Sequence, residues 1–310
     1  MAVLSPSAGR LPLVDAARGS AILAMVVYHA CWDLNFLGLV RFDLFGNPLW
    51  LAARTTILGS FLLLVGLSLV LATEHGLNRK RFLRRLVLLM AAAGAVSAAS
   101  YYAFPESPIF FGVLHHIAVA SLLGLAFVRL PWAVTLAAGA AVILIGETVS
   151  APLFDQPWLR WIGLMTFEPD SNDYVPLFPW FGCVLLGIAG GRLWRRREMH
   201  SHRPRGSSGR LLGWAGRHSL AIYLLHQPLL LGSLWLVAQA VDLPPPELRS
   251  FLESCTASCV QTGARPNECA ARCRCVSESL IEQGLWERAL ADRLRPDERQ
   301  QVDMIVQRCE

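Results

Sequence analysis

A chain of 310 residues, 54% hydrophobic and only 16% charged, is too apolar for an ordinary soluble domain, in which about 25% of residues are charged. Its apolar residues fall in blocks of roughly twenty, the length that crosses about 30 Å of hydrocarbon as a helix. The net charge of +5 does not point to nucleic acid, because the basic residues, nearly all arginine, gather between these blocks, where membrane topology accounts for them.

The reading is therefore an all-α polytopic membrane protein with about seven spans: 13–34, 48–72, 83–104, 109–129, 131–150, 174–194 and 218–241. The first block begins near Leu11, runs too long for a signal-peptide core and lacks a small-residue cleavage site, so it reads as a retained span. Pro48, Pro108 and Pro131 stand at or near span starts, where a missing N–H costs least. Arg79, Lys80, Arg81, Arg84 and Arg85 crowd the second junction, and eight arginines from Arg192 to Arg217 crowd the sixth. The positive-inside rule makes both junctions cytoplasmic. The segment 151–173 carries Asp155, Glu168, Asp170 and Asp173 against Arg160 and falls outside. The N-terminus is then cytoplasmic and the C-terminus periplasmic, in a bacterial inner membrane.

After Pro244-Pro245-Pro246 the composition turns polar, which divides the chain into a membrane domain, 1–243, and a cysteine-rich tail, 244–310. Cys255/Cys259 and Cys269/Cys273 are two C-x3-C pairs, and a spacing of four puts both cysteines of a pair on one helix face. A turn at "TGARPNE" folds the two helices into an α-hairpin, setting Cys255 opposite Cys273 and Cys259 opposite Cys269, with Cys275 and Cys309 left over. Other connectivities and a zinc site remain open. An oxidising compartment suits disulfides, and the charge rule puts the tail there. Cys31 and Cys183 lie in spans and read as packing residues.

Ionisable groups inside a bilayer usually mark a pathway or a site. With this topology His29, Asp33, Arg54, His115, His116, Glu147 and Asp173 share one depth, in the outer half of the membrane. Asp15 and Arg18 lie at the cytoplasmic end of the first span. Adjacent side chains on a helix diverge by about 100°, so only one of His115 and His116 can face a cavity directly. Plainer readings exist: Arg54 as an ion-pair partner of Asp33 or Asp173, Asp15 as an N-cap, Arg18 as an interface residue, and His226 in "YLLHQP" as a carbonyl-bonded packing histidine.

The segments "DAARGSAILAMVVYHACWDL", "ARTTILGSFLLLVGLSLVLA", "IFFGVLHHIAVASLL" and "DYVPLFPWFGCVLLGIAGG" together resemble the catalytic domain of heparan-α-glucosaminide N-acetyltransferase and its compact bacterial relatives, over about residues 10–241. "SLAIYLLHQP" is similar to the wider group of transmembrane acyltransferases. The resemblance implies acetyl transfer from cytoplasmic acetyl-CoA to a sugar on the far side of the membrane, here a periplasmic or envelope glycan, with no metal. It also implies an active histidine following the D-x-x-R-G span. His29 stands where that span ends and is the expected base, with Asp33 one turn on to orient it. Arg54 or the second histidine would face the developing oxyanion, and Asp15 and Arg18 would serve the CoA end. A homodimer is left open. Two rival readings are a proton-coupled transporter and a membrane anchor that presents the tail to a partner.

Overall fold

The computed structural model describes residues 11–40, 42–44, 46–196, 206–241 and 245–309. Every regular element among them is helical. The chain divides into two compact units: residues up to 32 together with 42–232, and residues 33–41 together with 233–310.

The first unit holds most of α1 (Pro12–Phe36), then α2 (Pro48–Thr73), α3 (Arg79–Ala103), α4 (Val113–Gly124), α5 (Trp132–Thr148), α6 (Phe181–Arg196), α7 (Ser207–Arg217) and the first half of α8 (Ser219–Ala240). Helix starts follow local chemistry. The Asn47 side chain accepts from the Leu49 N–H at 2.9 Å, with Pro48 at the first helical position, and Asn78 accepts from the Arg81 N–H at 3.0 Å.

The tightest packing joins α2, α5 and α6. Leu62, Val184, Leu185 and Ile188 are wholly buried there. Glycines allow the close approach: a Cβ on Gly66 would strike the Val184 carbonyl, and one on Gly187 would strike the Leu63 carbonyl. The small residues here let backbones meet, as helices in lipid require.

Among the described residues four helices, α1, α2, α3 and α8, are long and apolar enough to cross a membrane, and α4 and α5 are shorter apolar helices. Two expected spans are shortened. The helix expected from 109 starts only at Val113 and gives way to turns after Gly124. The helix expected from 174 starts at Phe181. Pro176 and Pro179 supply no N–H and disfavour helix in the residues before them. Residues 174–180 instead lie as a strap, with Val175 N–H on the Phe111 carbonyl (3.0 Å), Leu177 N–H on that of Trp161 (2.9 Å) and Phe178 N–H on that of Ile162 (2.8 Å). Two short 3-10 turns, Pro152–Asp155 and Arg160–Ile162, fill the connection before it.

The second unit holds the tail. In place of a simple hairpin it has four helices: α9 (Pro246–Gln261), α10 (Pro266–Glu282), α11 (Trp286–Leu290) and α12 (Pro296–Arg308). Disulfides join Cys255 to Cys273, Cys259 to Cys269 and Cys275 to Cys309. All six cysteines are thus committed to sulfur–sulfur bonds and do not ligate zinc. The expected facing pairs are the observed ones, and the third bond ties α12 onto α10. A small core of Val276, Leu280, Leu285 and Ile305 lies beneath, with Phe251 and Trp286 rings 5.2 Å apart against it. Glu298 is buried at the start of α12. It accepts from the Arg295 backbone N–H at 2.9 Å and guanidinium at 2.8 Å, and pairs with Arg288 at 3.1 Å.

Candidate active site

Helix α8 brings the scattered polar residues together. Tyr223 and His226, one turn apart, share a face. The His226 ring lies edge-on to His29 of α1, with centroids 5.0 Å apart. His226 Nδ1 donates to the Tyr223 carbonyl at 2.7 Å. A neutral ring fixed in that tautomer carries its lone pair on Nε2, and this atom is buried without a hydrogen-bond partner among the described residues.

The Tyr223 hydroxyl reaches in the other direction, donating to Asp173 Oδ2 at 3.5 Å. The same oxygen accepts from the Val113 N–H at 3.0 Å, so Asp173 caps α4 from sixty residues away in sequence. A Cβ on Gly112 would run into this carboxylate. The Val113 N–H, the Tyr223 hydroxyl and the Arg54 charge all favour the ionised Asp173 carboxylate. Arg54 of α2 is exposed yet within electrostatic reach of both Asp173 and Tyr28.

The two α4 histidines take different roles. His115 Nδ1 accepts from the Gly112 N–H at 3.3 Å, its ring leaning on Phe111. His116 is wholly buried and donates from Nδ1 to the Pro176 carbonyl at 3.1 Å, fastening the strap onto α4. Asp33, one turn beyond His29 in α1, is wholly buried and belongs to the second unit. Glu147 is exposed at the end of α5.

At the opposite end of α1, Arg18 pairs with Asp15 at 3.3 Å and donates to Ser68 of α2 at 2.6 Å. Arg85 of α3 lies within electrostatic reach of Arg18. The described residues contain no group of three or more His, Cys, Asp and Glu arranged to hold a metal ion.

The structure thus places His29 beside His226, and Arg54 near Asp173, with Tyr223 and His226 forming the bridge between these pairs. From sequence alone Tyr223 carries no assigned role and His226 has a plain packing reading beside it; their i, i+3 spacing in an apolar helix is the available signal.

No curated protein and no solved structure matches the chain. Residues 10–228, most of the chain, match the family model described as heparan-alpha-glucosaminide N-acetyltransferase, catalytic. That match closes two residues after His226, so it takes in every residue from His29 to His226 just described. The chain belongs to the heparan-alpha-glucosaminide N-acetyltransferase catalytic family, a family of membrane acetyltransferases.

Proposed function

We propose that the protein carries an acetyl group from cytoplasmic acetyl-CoA to a hydroxyl or amine of a sugar on the outer side of a bacterial inner membrane. The observation that carries this reading is the His29–His226 pair, continued through Tyr223 to Asp173, inside the segment that matches the family. In this reading α4, α5 and α6 complete seven spans, with the N-terminus cytoplasmic and the cysteine-rich tail periplasmic.

His29 takes the proton from the acceptor oxygen or nitrogen as that atom attacks the acetyl carbonyl. The C–S bond of acetyl-CoA breaks as the new C–O or C–N bond forms, and the proton passes to the departing thiolate. His226, anchored on the Tyr223 carbonyl, offers Nε2 to the second N–H of His29 and so steadies the imidazolium. Catalytic hydrogen bonds are often long before substrate binds, which suits rings in contact and not yet bonded. Arg54 favours negative charge on the carbonyl oxygen. Arg18 serves the phosphate-bearing end of CoA.

The test is to incubate purified protein in detergent with radiolabelled acetyl-CoA and periplasmic glycans, and to follow the label. Label on the glycan supports direct transfer, label retained on protein an acetyl-enzyme. Label on neither removes the proposal.

A further inference from the structure

Helix α7 lies between the basic end of α6 and the start of α8, and the transfer chemistry makes no use of it. At eleven residues it rises only about 16 Å and cannot span a bilayer. Its two faces differ sharply. Gly213 and Gly216 are buried. A Cβ on Gly216 would strike the Asp15 carbonyl, and a Cβ on Gly19 would strike the Leu212 carbonyl. The α7 backbone therefore rests directly on the first turns of α1, beside the Asp15–Arg18 pair.

The opposite face carries Arg210, Leu211, Trp214 and Arg217, all exposed, with Leu211 at 65% and Trp214 at 50% of full accessibility. These positions repeat at three and four residues and form one stripe. Leucine and tryptophan flanked by arginines suit the boundary between headgroups and acyl chains, where the ring sits at headgroup level and the guanidinium groups reach outward. The charge of the neighbourhood selects the lipid. From residue 192 to 217 the sequence has eight arginines and a single acid, Glu198. A basic segment of that kind is drawn to anionic headgroups.

We propose that α7 is a lipid-surface helix, seated in the boundary of the leaflet on the arginine-rich side and held there by anionic phosphates. Because its glycine face rests on α1, the lipid composition of that leaflet bears on the Asp15–Arg18 end of the molecule. This inference stands apart from acetyl transfer.

The experiment places a nitroxide at Leu211→Cys or Trp214→Cys in the full chain carrying Cys31→Ser and Cys183→Ser, with the tail disulfides intact. The protein is reconstituted in vesicles of phosphatidylcholine alone, or mixed with phosphatidylglycerol. Collision of the label with oxygen is compared with collision with a water-soluble nickel chelate. The expected result is a collision ratio several-fold in favour of oxygen, deeper with phosphatidylglycerol, and a loss of that dependence in Arg210→Gln/Arg217→Gln. Dominant collision with nickel in both vesicles would put α7 in water and overturn the proposal. An immobile label shielded from both reagents would assign the face to a protein partner or a second copy and also overturn it. Equal depth in both vesicle types would remove the anionic phosphate.

Discussion

The imidazoles of His29 and His226 meet edge to face with centroids 5.0 Å apart, although they come from helices nearly two hundred residues apart in the chain. This contact sets the terminal apolar helix of the family domain beside the proposed base. His29→Ala is expected to lower the acetyl-transfer rate of folded protein by about 10²–10⁴-fold, the usual effect of losing a general base. His226→Gln, which keeps volume and polarity, is expected to lower kcat less and to shift the acid limb of the pH–rate profile. A purely packing role for His226 would leave that profile unmoved. A His29→Ala rate within about threefold of the parent would remove His29 as the base.

Arg18→Ala should behave differently. The group lies at the other end of α1, on Asp15 and Ser68. The expected effect is a raised KM for acetyl-CoA with kcat nearly kept, a loss of binding and not of chemistry. Steady-state kinetics over a range of acetyl-CoA concentrations decide it.

Asp173 combines a cap with a charge, and two substitutions separate these. Asp173→Asn keeps an acceptor for the Val113 N–H and removes the charge facing Arg54. Asp173→Ala removes both and should cost about 0.5–2 kcal/mol, as loss of a helix cap does. Thermal unfolding in detergent should fall for the alanine variant and stay near the parent for the asparagine variant. Transfer activity should fall in both if the Asp173 charge matters to the chemistry.

The glycine contact between α2 and α6 makes a stability prediction independent of chemistry. Gly66→Ala forces a methyl onto the Val184 carbonyl. Over-packing of this kind costs about 1–3 kcal/mol. The unfolding temperature should drop clearly more than for Gly94→Ala, where a Cβ would meet nothing within 4 Å.

In the tail, hydrogen bonds from Arg295, with the nearby Arg288 charge, hold the Glu298 carboxyl below its usual range. A depressed folded value adds stability that is complete above the ordinary glutamate range and is lost as pH falls through that range to the depressed value. The protection of α12 amides, taken relative to the intrinsic exchange rate at each pH, should therefore fall on acidification in the parent. In Glu298→Gln that protection should be lower at neutral pH and less sensitive to acid.

Much of this protein was legible from residue spacing, because each such feature is a local consequence of chain geometry. Apolar blocks of bilayer length located the long helices. Four-residue cysteine spacing placed both members of each pair on one face, and the observed Cys255–Cys273 and Cys259–Cys269 bonds are the ones that geometry favours. The D-x-x-R-G opening and its companion segments pointed to the family. What the sequence by itself left undecided was which polar groups meet. Whether His29 faces His226 depends on how α1 is rotated among its neighbours, and contacts such as Gly19 on Leu212 and Gly216 on Asp15, which seat α1 on α7, are encoded by no periodicity. The strap from 174 to 180 looked like the start of a span because its residues are apolar. Only folding showed that Pro176 and Pro179 turn it into a hydrogen-bonded connection, with the carbonyl of Pro176 taken by His116 and the carboxylate of Asp173 spent on the first turn of α4.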